Sequence, residues 1–186
     1  MARPLIRHWL AITIIASLVA TLDGGFVASF AALAPSKIWH GQIWRLVTWP
    51  FVELGPMSLI VTCVAIYTLG GDLAVRWGER RLRRFMIEIV LAGGIATCLL
   101  DAVVRHHVAR CGGWVVGDAL VIAWARQFPD YPVRFYGLLV LRGRSIVRFV
   151  AATTIVFAIY VGPVAMAPEL VACAMAALYT PAWLTR

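Results

Sequence analysis

The sequence predicts an all-α membrane protein: a bundle of six transmembrane helices with a short central fourth helix, folded as a single domain over residues 1–186. Three observations carry this. First, 62% of the chain is hydrophobic and only 14% is charged, whereas soluble domains carry roughly a quarter charged residues. An ordinary soluble core is thereby excluded. Second, six apolar runs follow one another, and the length suits about six spans of roughly 20 residues with nothing left for a separate soluble domain. Third, the basic residues segregate. The N-terminus, the 76–84 loop, the 126–148 loop and the C-terminus hold 13 of the 17 Lys and Arg residues, and only Lys37, Arg45, Arg105 and Arg110 fall in the opposite loops. The positive-inside rule then places both termini in the cytoplasm. It also accounts for the net charge of +8 without nucleic acid as a partner.

The first span runs from Trp9 to Ala31, interrupted by Asp23-Gly24-Gly25. Arg3, Arg7 and the small residues Ala32-Leu33-Ala34 mimic a signal peptide, but Pro35 disfavours that cut, so the expectation is an uncleaved helix. A linker from Pro35 to Pro50 holds Trp39, Trp44 and Trp49, a density that suits the membrane interface. The second span is Met57–Ala74, followed by a basic loop containing Arg76, Arg80, Arg81, Arg83 and Arg84. The third is Phe85–Val104, and a polar turn with His106 and His107 follows. The fourth run, Gly112–Ala125, is marginal for crossing a bilayer at 1.5 Å per residue unless it is sheathed by its neighbours. The stretch 131–144 mixes Pro, Arg and apolar residues and reads as interfacial. The fifth span is Ile146–Met166 and the sixth Leu170–Leu184. The chain has no detectable internal repeat, which argues against an inverted-repeat transporter.

The block GQIWRLVTWPFV, a Gly-Pro turn, and an apolar span ending LGGDLAVRWGERRLRRF resemble the rhomboid superfamily, which includes intramembrane serine proteases and derlin-like pseudoproteases. Trp44-Arg45 matches that superfamily's Trp-Arg pair in the first loop, with Gly41 and Thr48 also in place. Asp72-Leu73 and Trp77-Gly78 match the close of the second span. The resemblance covers about residues 38–150, and the whole chain more loosely. It implies that the short fourth span opens where a protease carries Gly-x-Ser-Gly. Here the stretch is Arg110-Cys111-Gly112-Gly113, with Gly117 at the following small position. The nucleophile position is thus Gly112, the oxyanion-donor positions are Ser58 and Thr62, and the sixth span has no His to act as base. Acyl transfer requires a nucleophile activated by a base. The resemblance therefore implies a pseudoprotease with no catalytic residues and no cofactor.

Other residues carry groups capable of chemistry. Cys111 beside the vacant position could form a dyad with His107, but a packed cysteine and solvated histidines are the plainer reading. His106 and His107 lack a carboxylate at ligand spacing for a metal, and the four cysteines read as packing residues. Asp118 falls inside the fourth span, where an ionised carboxylate costs about 3 kcal/mol. It would either line a polar cavity for a client helix or join helices, and the second reading is favoured. Asp23, Asp101, Glu79 and Glu88 lie near span ends and are expected to be wetted. Gly113 and Gly117 form a small-residue face for close helix packing, with Gly93-Gly94 as another. Trp44 would anchor at the interface, and Arg45 would bind buried carbonyls or a lipid phosphate.

The leading expectation is a non-catalytic rhomboid-like protein among membrane lipids that binds transmembrane clients or serves as an accessory or scaffold subunit of a larger membrane complex. The alternatives are a protease with unconventional residues, testable with a serine or cysteine probe, and a small transporter or channel component, which would require a continuous polar path. Because arginine is used almost to the exclusion of lysine, a GC-rich genome and a bacterial inner membrane are expected, with an organelle membrane as the alternative.

Overall fold

The computed structural model describes residues 4–104, 109–135, 139–162 and 165–179. The architecture is helical throughout except for one small hairpin. Helix α1 spans Pro4–Leu22 and ends at the Asp23-Gly24-Gly25 break. Both glycines take positive φ, and the Asp23 carboxylate accepts hydrogen bonds from the Gly25 and Val27 N–H groups at 2.9 and 2.8 Å. The break is therefore a built turn that starts the next helix, α2 (Phe26–Ala31). Short helices α3 (Pro35–Trp39) and α4 (Arg45–Thr48) and a 3-10 turn (Trp49–Phe51) form the linker.

The second span is continuous from Pro56 to Trp77 but not uniform. Helix α5 (Pro56–Ala65) passes through a π-helical turn (Ile66–Gly70) into α6 (Gly71–Trp77). Gly70 in that turn lets α1 approach closely, since a Cβ there would lie 3.0 Å from Ile6 Cδ1. Gly78, with φ +83°, ends α6. Helix α7 (Glu79–Val104) then starts at once, so the basic cluster read as a loop forms the first turns of a helix. Arginine is a good helix former, and the glycine alone supplies the turn.

Helix α8 (Trp114–Gln127) follows, then the antiparallel hairpin β1 (Pro132–Phe135) and β2 (Leu139–Arg142), α9 (Gly143–Val161) and α10 (Ala167–Tyr179). Four helices are long and apolar enough to cross a membrane: Pro4–Leu22, Pro56–Trp77, Glu79–Val104 and Gly143–Val161. Helices α8 and α10 are shorter. Helix α8 has 14 residues and lies at the centre, packed by α5, the π turn, α7, α9 and α10. Ten of its residues are buried, including Val115, Leu120 and Ala123. In α9 only Gly143, Thr154 and Ala158 are buried, and Phe149, Phe157 and Tyr160 face outward.

Lipid tails are as apolar as leucine, so hydrophobicity does not by itself hold such helices together. Close packing and interhelical hydrogen bonds do. Gly93 on α7 would place a Cβ 3.3 Å from Pro168 of α10, and Gly94 one 3.0 Å from Leu46 of α4. At the basic side, Trp124 Nε1 donates to Asp72 (2.9 Å) and Trp77 Nε1 to Gln127 (3.0 Å), tying α8 to α6.

Candidate functional site

The strongest concentration of buried polar groups lies where the first loop, α5 and the entry to α8 meet. Arg45, 2% exposed, fixes the loop. Its guanidinium donates to the Ser29 and Ala32 carbonyls, each at 2.8 Å, and to Gln42 Oε1 at 2.8 Å. Two of these acceptors are at the end of α2, whose last carbonyls have no partner within the helix. Thr48 adds a bond to the Ala31 carbonyl at 3.0 Å. Arg45 thus meets backbone carbonyls, while Trp44 stands half-exposed and stacks on Phe30 at 5.4 Å.

The segment entering α8 is held from four directions. Arg110 pairs its backbone with Leu33 in both directions, and its guanidinium lies 3.3 Å from Glu169 on α10. Cys111 Sγ lies 3.5 Å from the Ala28 carbonyl. Gly112 N–H donates to the Trp49 carbonyl at 3.1 Å. Gly113 N–H donates to Glu53 Oε1 at 2.6 Å.

Glu53 is the centre of this arrangement. It is 4% exposed, and its carboxylate accepts hydrogen bonds from the Ser58 hydroxyl, from the Thr62 hydroxyl at 2.9 Å and from Gly113 N–H. Its own N–H donates to Ser17 of α1 at 2.9 Å. The partial positive charge at the start of α8 favours the same anion. Ser58, Thr62 and Gly113, all singled out in the sequence, therefore converge on one group that the sequence reading passed over, with Gly112 beside it. The only hint was a carboxylate in the apolar run WPFVEL, where an unpaired charge would be costly.

Glycine is required here by geometry. Gly112 has φ +136°, which side chains rarely adopt, and its Cβ would lie 3.5 Å from Glu53 Oε2. A Cβ on Gly113 would lie 2.8 Å from Thr62 Cγ2 and 3.0 Å from the Pro50 carbonyl. Gly117 differs: no heavy atom lies within 4 Å of its ideal Cβ, so the tight approach is confined to Gly113.

Asp118 is half-buried on α8, within electrostatic range of Glu169 and Cys173 of α10. Thr154 of α9 lies 3.9 Å from Cys173 Sγ. Asp23 is exposed, but Asp101 is only 4% exposed, contrary to the expectation that both would be wetted. Burial pushes the Cys111 thiol up to about 11, Arg45 pulling it down and Glu53 pushing it further up. A thiol so placed is protonated near neutral pH, the opposite of what a nucleophile needs. His106 and His107 lie outside the described residues.

The profile of the family described as Eukaryotic integral membrane protein (DUF1751) matches residues 6–184, nearly the whole chain, and the chain belongs to that family. No curated protein matches it. The family is described as eukaryotic, which overturns the bacterial inner membrane expected from the sequence. A preference for arginine over lysine reflects base composition, and bacterial and eukaryotic genomes can share it.

Proposed function

We propose that this member of the eukaryotic integral membrane protein family is a rhomboid-like pseudoprotease, a non-catalytic protein that holds transmembrane helices of a client or of a larger complex. The observation that supports this best is the occupant of the polar site. Ser58 and Thr62 stand at the positions that the resemblance aligns with oxyanion donors, and Gly113 N–H beside the vacant Gly112 completes the set. In a hydrolase such donors must be free to meet the charge that develops on substrate. Here they are committed to Glu53 of the same chain. A carboxylate in that place would repel the oxyanion that the donors would otherwise stabilise.

A binding role draws on the periphery. Helix α9 packs on α8 and α10 but presents most of its length outward, and α5 packs on the other flank of α8. Phe149, Phe157 and Tyr160 of α9 offer large apolar surfaces in the plane where a client helix would arrive. Helix association in a bilayer depends on such shape contacts together with scattered polar bonds.

The test has two arms. Purified protein in liposomes should leave a panel of single-span substrates uncut, at the rate of protein-free liposomes. A photo-crosslinker at Phe157 or Tyr160, in native membranes, should give discrete adducts with a transmembrane protein. Cleavage lost on Cys111→Ser would favour the unconventional protease instead, and adducts with lipid alone would count against a client.

A further inference from the structure

Two adjoining clefts open at the basic side of the bundle, where α1 and α7 both begin. The smaller one, about 280 Å³, is mostly apolar. Leu5, Trp9 and Ile12 line it from one face of α1, and Ile87, Val90 and Leu91 from α7. The outer one, about 510 Å³, is lined by His8, Glu79, Arg80 and Arg83. Leu5, His8 and Arg83 line both, so a single slot runs from a charged mouth to an apolar floor.

The arginines of the cluster are not equivalent. Arg76 lies over the Phe128 ring, Arg81 over Trp77 and Tyr179, and Arg84 pairs with Glu88. The two that line the mouth, Arg80 and Arg83, are exposed and make no ion pair among the described residues. Glu79, which lines the same mouth, has an enclosed carboxylate oxygen, Oε1, with no hydrogen-bond partner among the described residues. Buried oxygens of this kind are rarely left unpaired. The positive-inside rule explains arginines at this side, but it does not explain an apolar cleft that ends beside two such guanidinium groups and a carboxylate.

We infer that the slot binds a glycerophospholipid with a phosphoserine headgroup. Such a headgroup is the charge-for-charge complement of the mouth. Its phosphate and carboxylate meet Arg80 and Arg83, and its ammonium meets the Glu79 carboxylate where that residue lines the mouth. One acyl chain lies in the apolar cleft against Trp9 and Ile87. Basic pockets between helices are a known means of holding anionic lipids, and the carboxylate at this mouth adds selection for an amine-bearing one.

Native mass spectrometry of the full-length detergent-purified protein tests this, with phosphatidylserine, phosphatidylglycerol, phosphatidylinositol and phosphatidylcholine offered at equal concentration. Phosphatidylserine should be retained about fivefold more than phosphatidylglycerol, which has the same net charge but no amine. Glu79→Gln should remove that preference without lowering phosphatidylglycerol retention, since the variant also loses a charge that repels the phosphate. The Arg80→Ala, Arg83→Ala double variant should reduce phosphatidylserine retention to the level of phosphatidylcholine. Arg81→Ala and Arg84→Ala, on the same helix outside the slot, should leave it intact, and each variant's melting temperature reports whether it is folded. Equal retention of phosphatidylserine and phosphatidylglycerol by the wild type, stronger retention of phosphatidylinositol, or equal loss in all arginine variants would overturn the assignment.

Discussion

Glu53 and Glu79 are both carboxylates at the ends of membrane helices, and the chain treats them in opposite ways. Glu53 is enclosed and receives three donors, from Ser58, Thr62 and Gly113. Glu79 has a buried oxygen that receives none among the described residues, and the residue lines the mouth of a slot. The Glu53 carboxylate is engaged by its own chain and joins α5 to the start of α8, while its backbone N–H reaches Ser17 of α1. The Glu79 carboxylate lines a cleft instead. The two residues stand at opposite ends of the second span, Pro56–Trp77.

Substitutions at the closed site should be the most damaging. Glu53→Ala leaves two hydroxyls and the Gly113 N–H without their acceptor, and should cost about 3 kcal/mol in thermal unfolding followed in detergent micelles. A loss under about 0.5 kcal/mol would mean that the carboxylate is a passenger. Arg45→Ala should cost about 2–3 kcal/mol by the same measurement, because the Ser29 and Ala32 carbonyls lose a charged donor. Arg45→Lys should recover little of it, since a lysine cannot reproduce the planar fork.

Glycine packing gives the next contrast. Gly113→Ala should destabilise by about 2 kcal/mol through the Thr62 and Pro50 contacts, whereas Gly117→Ala should be neutral or slightly stabilising. Similar costs at both positions would remove the argument that the close approach is local to the Glu53 site. At the open site, Glu79→Gln should change stability by less than about 0.5 kcal/mol, while Glu53→Gln should cost about 2. Equal effects would erase the distinction between the two carboxylates.

The smallest expected effect is electrostatic. Cys111 ionises near 11 chiefly because it is buried, with Glu53 raising it and Arg45 lowering it. Removing the Glu53 charge favours the thiolate, so Glu53→Gln should lower the midpoint of the Cys111 alkylation profile by less than about one pH unit. A midpoint near 7 in the wild type would reopen the cysteine as a nucleophile.

Much of the bundle was legible because apolar runs of span length have few alternatives. The 23–25 break was legible for the same kind of reason: Asp-Gly-Gly supplies a cap and two residues tolerant of positive φ. The short fourth helix was visible as a run too brief to cross alone. What misled was the basic segment, read as a loop because it is charged, although Gly78 confines the turn to a single residue. Arg45 could be foreseen as a buried anchor because a guanidinium in an interfacial loop has few partners but carbonyls and phosphates. Glu53 could not, since its donors lie 5, 9 and 60 residues away and only the fold brings Gly113 to it. Asp118 was noticed, but its neighbours Glu169 and Cys173 belong to another helix and leave no local trace.

Glu53 is bound by the donors of the polar site, and a double-mutant cycle between Glu53→Gln and Thr62→Val in detergent-solubilised protein tests that most directly. A coupling of about 1 kcal/mol is predicted, within the range for interhelical hydrogen bonds in membranes. Additivity within about 0.3 kcal/mol would show that the carboxylate and hydroxyl do not interact, and would contradict the view of this site as filled by its own chain.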